Sequence, residues 1–205
     1  MMDLQALFDV SSRDHNHLCP RQILGVRIGL MGIHSLQLEP NHGTKRLLVI
    51  VETDGCFSDG VSAATNCTVG HRTLRVEDYG KIAATFVDTQ TAKAIRVAPA
   101  LDVREKAYIY APAEPRHYFA QMQAYKIMPD DEMMTVQDVI LKTPIERIVS
   151  RPGLRVNCDI CGEEIMNERE VLWEGMKLCC ACSANGYYRP VIRQAFNLLS
   201  LMQYE

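Results

Sequence analysis

Several thiols and imidazoles in this chain are spaced in ways that could do chemistry. The first group lies in Glu52–His71, ETDGCFSDGVSAATNCTVGH, which packs Cys56, Asp59, Cys67 and His71 into a turn, a short helix and a second turn. An apolar run, Leu47–Val51, feeds directly into it. A strand ending in Asp-Gly-Cys would deliver the Cys56 thiol at a strand end, where reactive groups sit on loops held by a rigid scaffold. Ser58 or Asp59 is placed to cap the following helix, whose positive end would favour a Cys56 thiolate. The plainer alternative makes Cys56 and Cys67 small buried hydrophobes. Upstream, in HNHLCPRQILG, His17 and Cys19 are two residues apart and can face one site from an extended segment. Pro20 suits the first turn of a helix, which puts Cys19 at its N-cap, where the helix end would lower its pKa.

A second group carries the strongest metal signal. Cys158-Asp-Ile-Cys161 and Cys179-Cys-Ala-Cys182 are two CxxC pairs separated by 17 residues, the spacing of a four-cysteine structural zinc site. Each pair suits a tight knuckle that aims two thiolates at one ion, and Gly162 lets the first knuckle curl around sulfur. Cys180 falls outside the matched spacing. With a helix expected over Pro190–Met202, the order knuckle, hairpin, knuckle, helix describes a treble clef. Residues 151–205 hold six Lys/Arg against seven Asp/Glu, so this finger has no basic excess with which to displace counterions from nucleic acid. A structural or protein-contact role fits it better.

The elements that must position these groups follow from periodicity. A short helix is predicted over Asp3–Arg13, and a longer one from Pro20 to about Gln37 with Ile23, Val26, Leu30 and Ile33 on its apolar face. Gly25, Gly29 and Gly32 lie close together on a neighbouring face. They cost about 1 kcal/mol each against alanine, tolerable where another backbone, a second helix or a dimer mate, packs closely. Strands are predicted over Lys45–Thr53, Arg72–Asp78, Lys81–Asp88, Ala94–Ala98 and Glu132–Leu141, with DTQTAK as a hairpin connection and Pro115–Lys126 as a helix. SRPG at Ser150–Gly153 marks a boundary. The expectation is an α+β fold: a core domain, 1–150, with helices on a mainly antiparallel sheet, and a small four-cysteine domain, 151–205.

Composition bounds the rest. The chain has 205 residues, 47% hydrophobic content and a net charge of −3, which recruits no nucleic acid by a global field. The N-terminus has no basic region of the secretory kind, and no apolar run approaches the roughly 18 residues of a membrane helix. A cytoplasmic location is expected, where eight cysteines mean metal or thiol chemistry rather than disulfides. Neither a phosphate-binding glycine loop nor a Gly-x-Ser-x-Gly element is present; GVRIGLMG falls inside the predicted helix.

The ordered motifs HNHLCPRQILGVRIGL, VETDGCFSDGVSAATNCTVGHRTLRVEDYGKIAATF and AIRV, followed by the CxxC pairs, resemble the FmdE family, named for the E component of formylmethanofuran dehydrogenase. The resemblance covers roughly Leu7–Ala98 and Val156–Tyr187. It implies an α+β core that pairs as a homodimer, a treble-clef zinc finger and a metal-binding cleft. His17, Cys19 and Cys56 fall on the family's His-x-Cys and Gly-Cys positions. Cys67 falls on its Cys-Thr-Leu-Gly position with Val69 in place of leucine, and Lys81 on its Tyr-Gly-Lys lysine. His71 stands where a lysine or another polar residue is expected.

One imidazole with two or three thiolates suits zinc or another transition metal such as iron or nickel. His17, Cys19 and Cys56 are therefore the expected direct ligands of a core site, with Cys67 a further ligand or thiol partner. Asp54 and Asp59 could orient His17, or serve only as caps and turns. Lys81 could hold an anionic substrate, or be a solvated lysine. Cys67 and Lys81 are the candidate catalytic residues. Three readings follow. One is a metal-binding accessory protein of one-carbon molybdenum/tungsten oxidoreductase metabolism, such as methanogenesis uses. Another is a stand-alone metalloenzyme acting on a small carbonyl or formyl compound. The last, a zinc-finger regulator, is disfavoured by charge.

Overall fold

The computed structural model describes residues 3–149 and 153–189. The chain divides into two compact units, Met1–Ile145 and Glu146–Glu205.

The first unit opens with α1 (Leu4–Ser11), capped by the Asp3 side chain on the Gln5 N–H, and α2 (Pro20–Leu36). A five-stranded sheet follows in the order β2-β1-β3-β4-β5, built from β1 (Leu47–Val51), β2 (Leu74–Val76), β3 (Ala84–Asp88), β4 (Ala94–Pro99) and β5 (Met134–Val139). Only β1 and β2 run parallel, and α3 (Cys56–Thr65) makes that crossover. The other pairs are antiparallel, registered through Val49↔Phe86, Phe86↔Ile95 and Arg96↔Gln137. Alternation along the strands sends Leu47, Val49, Val51, Ala84, Phe86, Ile95 and Val97 to one face, where they join Ile23, Val26, Phe57 and Val61 of the helices in the core. The fold is thus α+β with a mainly antiparallel sheet, as the sequence indicates.

α2 and α3 form the tightest helix pair, and their glycines explain why. A Cβ on Gly25 would run into the Phe57 carbonyl oxygen and lie 3.0 Å from Gly60 Cα; one on Gly29 would lie 2.7 Å from Ala64 Cβ. The contacts climb in step along both helices, so the two run in the same direction. The close backbone that the glycines require is α3 for Gly25 and Gly29, while Gly32 faces the Phe86 ring of the sheet.

Three local expectations need correction. The helix after the Asp-Gly-Cys turn begins at Cys56, with Gly55 (φ 68, ψ −151) as N-cap, so neither Ser58 nor Asp59 caps it. The stretch Glu132–Leu141 is split: a helical turn, α6 (Asp130–Met133), precedes β5, because Pro129 and the acidic run favour a helix start. The strand expected from Lys81 begins only at Ala84. Two helices hold the flank, α4 (Val103–Tyr110), which has no counterpart in the sequence reading, and α5 (His117–Ile127). Arg27 of α2 ties α5 down, donating to the Tyr125 carbonyl at 2.9 Å and the Met128 carbonyl at 2.8 Å while pairing with Asp130. A guanidinium on the last carbonyls of a helix satisfies acceptors that have no partner within the helix.

A short helix, α7 (Ile145–Val149), stands at the division between the units. The second unit then has two small antiparallel hairpins, β6 (Arg155–Asn157) with β7 (Glu164–Met166) and β8 (Val171–Trp173) with β9 (Met176–Leu178), followed by an irregular helical turn at Ala181–Asn185. The helix expected over Pro190–Met202 lies outside the described residues. No helix of the described residues is long and apolar enough to cross a membrane.

Candidate metal centre

In the second unit the β6–β7 hairpin turns at Cys158–Cys161, and β9 leads straight into Cys179 and Cys182. The ligand atoms of all four lie within 4.8 Å of one another, and the Cys161 and Cys179 sulfurs are 3.9 Å apart. A tetrahedral Zn–S₄ site with bonds of about 2.3 Å needs sulfurs about 3.8 Å apart, so the spacing of the four is compatible with one ion. Backbone N–H groups orient the sulfurs, Cys179 N–H onto Cys158 Sγ at 3.3 Å and Cys182 N–H onto Cys179 Sγ at 3.4 Å. The hairpins are tied together by Asp159 N–H to the Lys177 carbonyl (2.9 Å) and Lys177 N–H to Asp159 Oδ2 (2.6 Å). Gly162, at φ 76, closes the first knuckle with its N–H on the Cys158 carbonyl.

Backbone and thiol hydrogen bonds together split the thiols electrostatically. Cys158 is held down to about 6, first by the Cys161 N–H and then by the Cys179 N–H. Cys182 is pushed up to about 12, first by its hydrogen bond with Cys179. Four thiols sharing one space cannot all ionise unless a cation neutralises them, and a soft divalent ion does this. Cys180 is exposed and takes no part in the group.

In the first unit the parallel α2/α3 pair brings two helix N-termini together, and each carries a cysteine. Cys19 is the N-cap of α2, with its N–H on Gln22 Oε1 at 2.8 Å. Gln22, fully buried, donates onward to the Ser11 carbonyl at 2.7 Å, locking the end of α1 to the start of α2. Cys56 opens α3. Burial raises the Cys56 pKa most, the hydrogen bond and charge of Cys19 raise it further, and Arg21 opposes them. The helix end that the sequence expects to favour a Cys56 thiolate is outweighed by desolvation. Tyr118, at the start of α5, borders the same thiols: burial raises its pKa first, then the charges of Cys19 and Cys56.

The other expected residues scatter. His17 is exposed beside Cys19. Among the described residues it makes no group of three ligand atoms with the two thiols. The imidazole that reaches Asp59 is that of His15, with Nε2 2.9 Å from Asp59 Oδ2. Cys67 is fully buried beyond the far end of α3, its Sγ 3.6 Å from the Leu47 carbonyl. The ten residues of α3 separate it from Cys56 by about 15 Å of helix. Burial raises its pKa. Lys81 and Asp54 are exposed in irregular segments, and His71 is exposed on a turn. Arg21 and Tyr118 escaped the sequence reading. Tyr118 is roughly a hundred residues from Cys19 in the chain and its surroundings carry no motif, whereas His15 sits in the same histidine–cysteine run and was legible there.

Comparisons with known proteins fit this picture. The family model described as "FmdE, Molybdenum formylmethanofuran dehydrogenase operon" matches residues 15–150. A probable S-adenosyl-L-methionine-binding protein of Archaeoglobus fulgidus is 30% identical over 199 aligned positions, covering 87% of this chain; the chain spans only 52% of that protein's length. The fold is shared with the crystal structure of a tungsten formylmethanofuran dehydrogenase FmdE-like protein from Syntrophus aciditrophicus, at a TM-score of 0.59 and 19% identity over 92% of this chain and 96% of that one. On the strength of the match that takes in both thiol-bearing helices and the whole sheet, the chain belongs to the FmdE family.

Proposed function

We propose that the protein is a metal-binding accessory component of an FmdE type, serving a molybdenum or tungsten oxidoreductase of one-carbon metabolism in the cytoplasm as a homodimer. The observation that carries the reading is the closed set of four sulfurs at Cys158, Cys161, Cys179 and Cys182. Four thiolates leave a bound zinc no open position, which suits a cross-link that holds a contact surface rather than a catalytic centre. The absence of a basic excess in residues 151–205 supports protein rather than nucleic acid as the partner. Cys19 and Cys56 are the soft donors of a second, core site, with His17 or a partner protein completing it. The stand-alone metalloenzyme reading needs three ligands around one open position. The described residues gather two thiols there, so the accessory reading is the better supported.

Metal analysis tests this. Wild type is expected to hold one tightly bound zinc per chain that Cys158→Ser abolishes. A second, weaker equivalent of thiophilic metal is expected, which Cys56→Ser removes and Cys158→Ser leaves in place. Zinc content unchanged in Cys158→Ser would overturn the finger assignment. Unchanged metal content in Cys56→Ser would reduce the core site to a thiol pocket. Light scattering of the wild type checks the homodimer.

A further inference from the structure

We propose that Cys19 and Cys56 are the two halves of a reversible intramolecular disulfide that joins the N-terminal ends of α2 and α3. The geometry comes from the helix pair. Gly25 against Gly60 and Gly29 against Ala64 let two parallel helices touch at their backbones. Following that register one to two turns toward the N-termini brings the N-cap of one helix beside the first residue of the other, and those residues are Cys19 and Cys56. The backbone contact comes within three residues of Cys19 and four of Cys56, since a Cβ on Gly60 would run into the Gln22 carbonyl oxygen, and a disulfide spans Cα separations of about 4.4–6.8 Å. Both thiols are free in this structure, and the Cys56 thiol is within the influence of Cys19, whose hydrogen bond and charge both act on it. The remaining thiol of this unit, Cys67, is sealed under Leu47 at the opposite end of α3 and has no such neighbour.

Their exposures differ in a way that assigns an order to the reaction. Cys56 is partly exposed and Cys19 is buried. An external low-molecular-weight disulfide, R–S–S–R, therefore meets Cys56 first. The Cys56 thiolate attacks one sulfur, forming Cys56–S–S–R and releasing one R–S⁻. The Cys19 thiolate then attacks Cys56 Sγ, forming the Cys19–Cys56 bond and releasing the second R–S⁻. The two cysteines lose two electrons and two protons; the oxidant gains both and leaves as two R–SH. The oxidised pair offers no thiolate to a soft metal, so oxidation and metal occupancy at this point exclude one another. Disulfide formation itself does not depend on the metal reading of the core.

The test uses the full chain with zinc in its finger, treated with glutathione redox buffers of increasing oxidised fraction and then alkylated and digested with trypsin. The expected product has lost two hydrogen masses and yields peptide 14–21 (DHNHLCPR) joined to peptide 47–72. Because 47–72 also contains Cys67, fragmentation must place the link on Cys56. Cys67→Ser must keep the linked product, and Cys19→Ser and Cys56→Ser must each lose it. Reduction must restore both thiols. A glutathione adduct that stays on Cys56, a link to Cys67, or two alkylatable thiols at every redox ratio would each overturn the proposal. Loss of the core metal equivalent in the previous experiment would leave this result untouched, so the two readings fail separately.

Discussion

Asp88 shows how much of this protein's behaviour is set by one residue's neighbours. It lies at the end of β3, 4% exposed, and Arg46 grips it with two hydrogen bonds of 3.0 and 2.8 Å. The Arg46 guanidinium, helped by the Gln90 N–H and Thr91 hydroxyl, holds its pKa down to about 2 from an ordinary 3.8. A carboxylate with a depressed folded-state pKa stabilises the fold above its unfolded pKa. That contribution is complete above 3.8 and is lost as pH falls through about 2. Asp88→Asn should therefore be less stable than wild type at neutral pH and should show a flatter loss of stability between pH 4 and 2. Chemical denaturation across that range measures it; parallel curves for the two proteins would mean that the ion pair contributes nothing. Two bonds to a partly exposed arginine make this a modest contribution, since solvent screens the guanidinium side.

At the scale of elements, the α2/α3 crossing governs the position of the thiols. The partner of Gly25 is backbone, the Phe57 carbonyl and Gly60 Cα, and backbone cannot swing away as a side chain can. Gly25→Ala is thus expected to destabilise by about 1–3 kcal/mol despite alanine's better helix propensity. Gly60→Ala, meeting the Gln22 carbonyl and Val26 N, should behave alike. Gly43→Ala probes the contrast. Its Cβ would meet nothing within 4 Å, but its φ of 92 strains any other residue, so its cost is local and leaves the helix pair untouched. Urea denaturation ranks the stabilities. The rate at which a bifunctional thiol reagent bridges Cys19 and Cys56 reports the geometry: it should fall in Gly25→Ala and Gly60→Ala and hold in Gly43→Ala. Equal rates in all three would separate the crossing from the thiol site.

On the scale of the molecule, the two units should depend on metal unequally. The core of the first unit runs from Phe8 through Val49 and Phe86 to Met133, all nearly inaccessible. In the second, the buried cluster among the described residues is Cys158, Ile165 and Leu178, and one of those three belongs to the four-cysteine group that could hold a metal. Apolar burial on that scale falls far short of ordering a chain segment without a cross-link. Chelation should melt the second unit while the α+β unit keeps its cooperative transition. Circular dichroism and limited proteolysis can follow this: cuts are expected between residues 150 and 189 after chelation, and none in the sheet. Simultaneous loss of both units would show that the zinc supports the whole chain.

Much of this was legible from the sequence because the determinants are local. Two CxxC turns carry their own geometry, so Cys158, Cys161, Cys179 and Cys182 declared themselves by spacing. Pro20 after Cys19 marked the start of α2, the apolar run Leu47–Val51 marked β1, and the hairpin connection DTQTAK marked β3 and β4. The glycine face of α2 announced that some backbone must lie against it. Which backbone it was, only the tertiary structure decided, because a close approach is a relation between segments that spacing along one of them does not encode. For the same reason the sequence could set a short helix between Cys56 and Cys67 without revealing that Cys67 is buried against the Leu47 carbonyl, or offer two histidines without showing that His15 is the one that Asp59 takes. Burial reversed the expected effect of the helix end on Cys56, since the desolvation a thiol suffers is set by what packs over it from elsewhere in the chain.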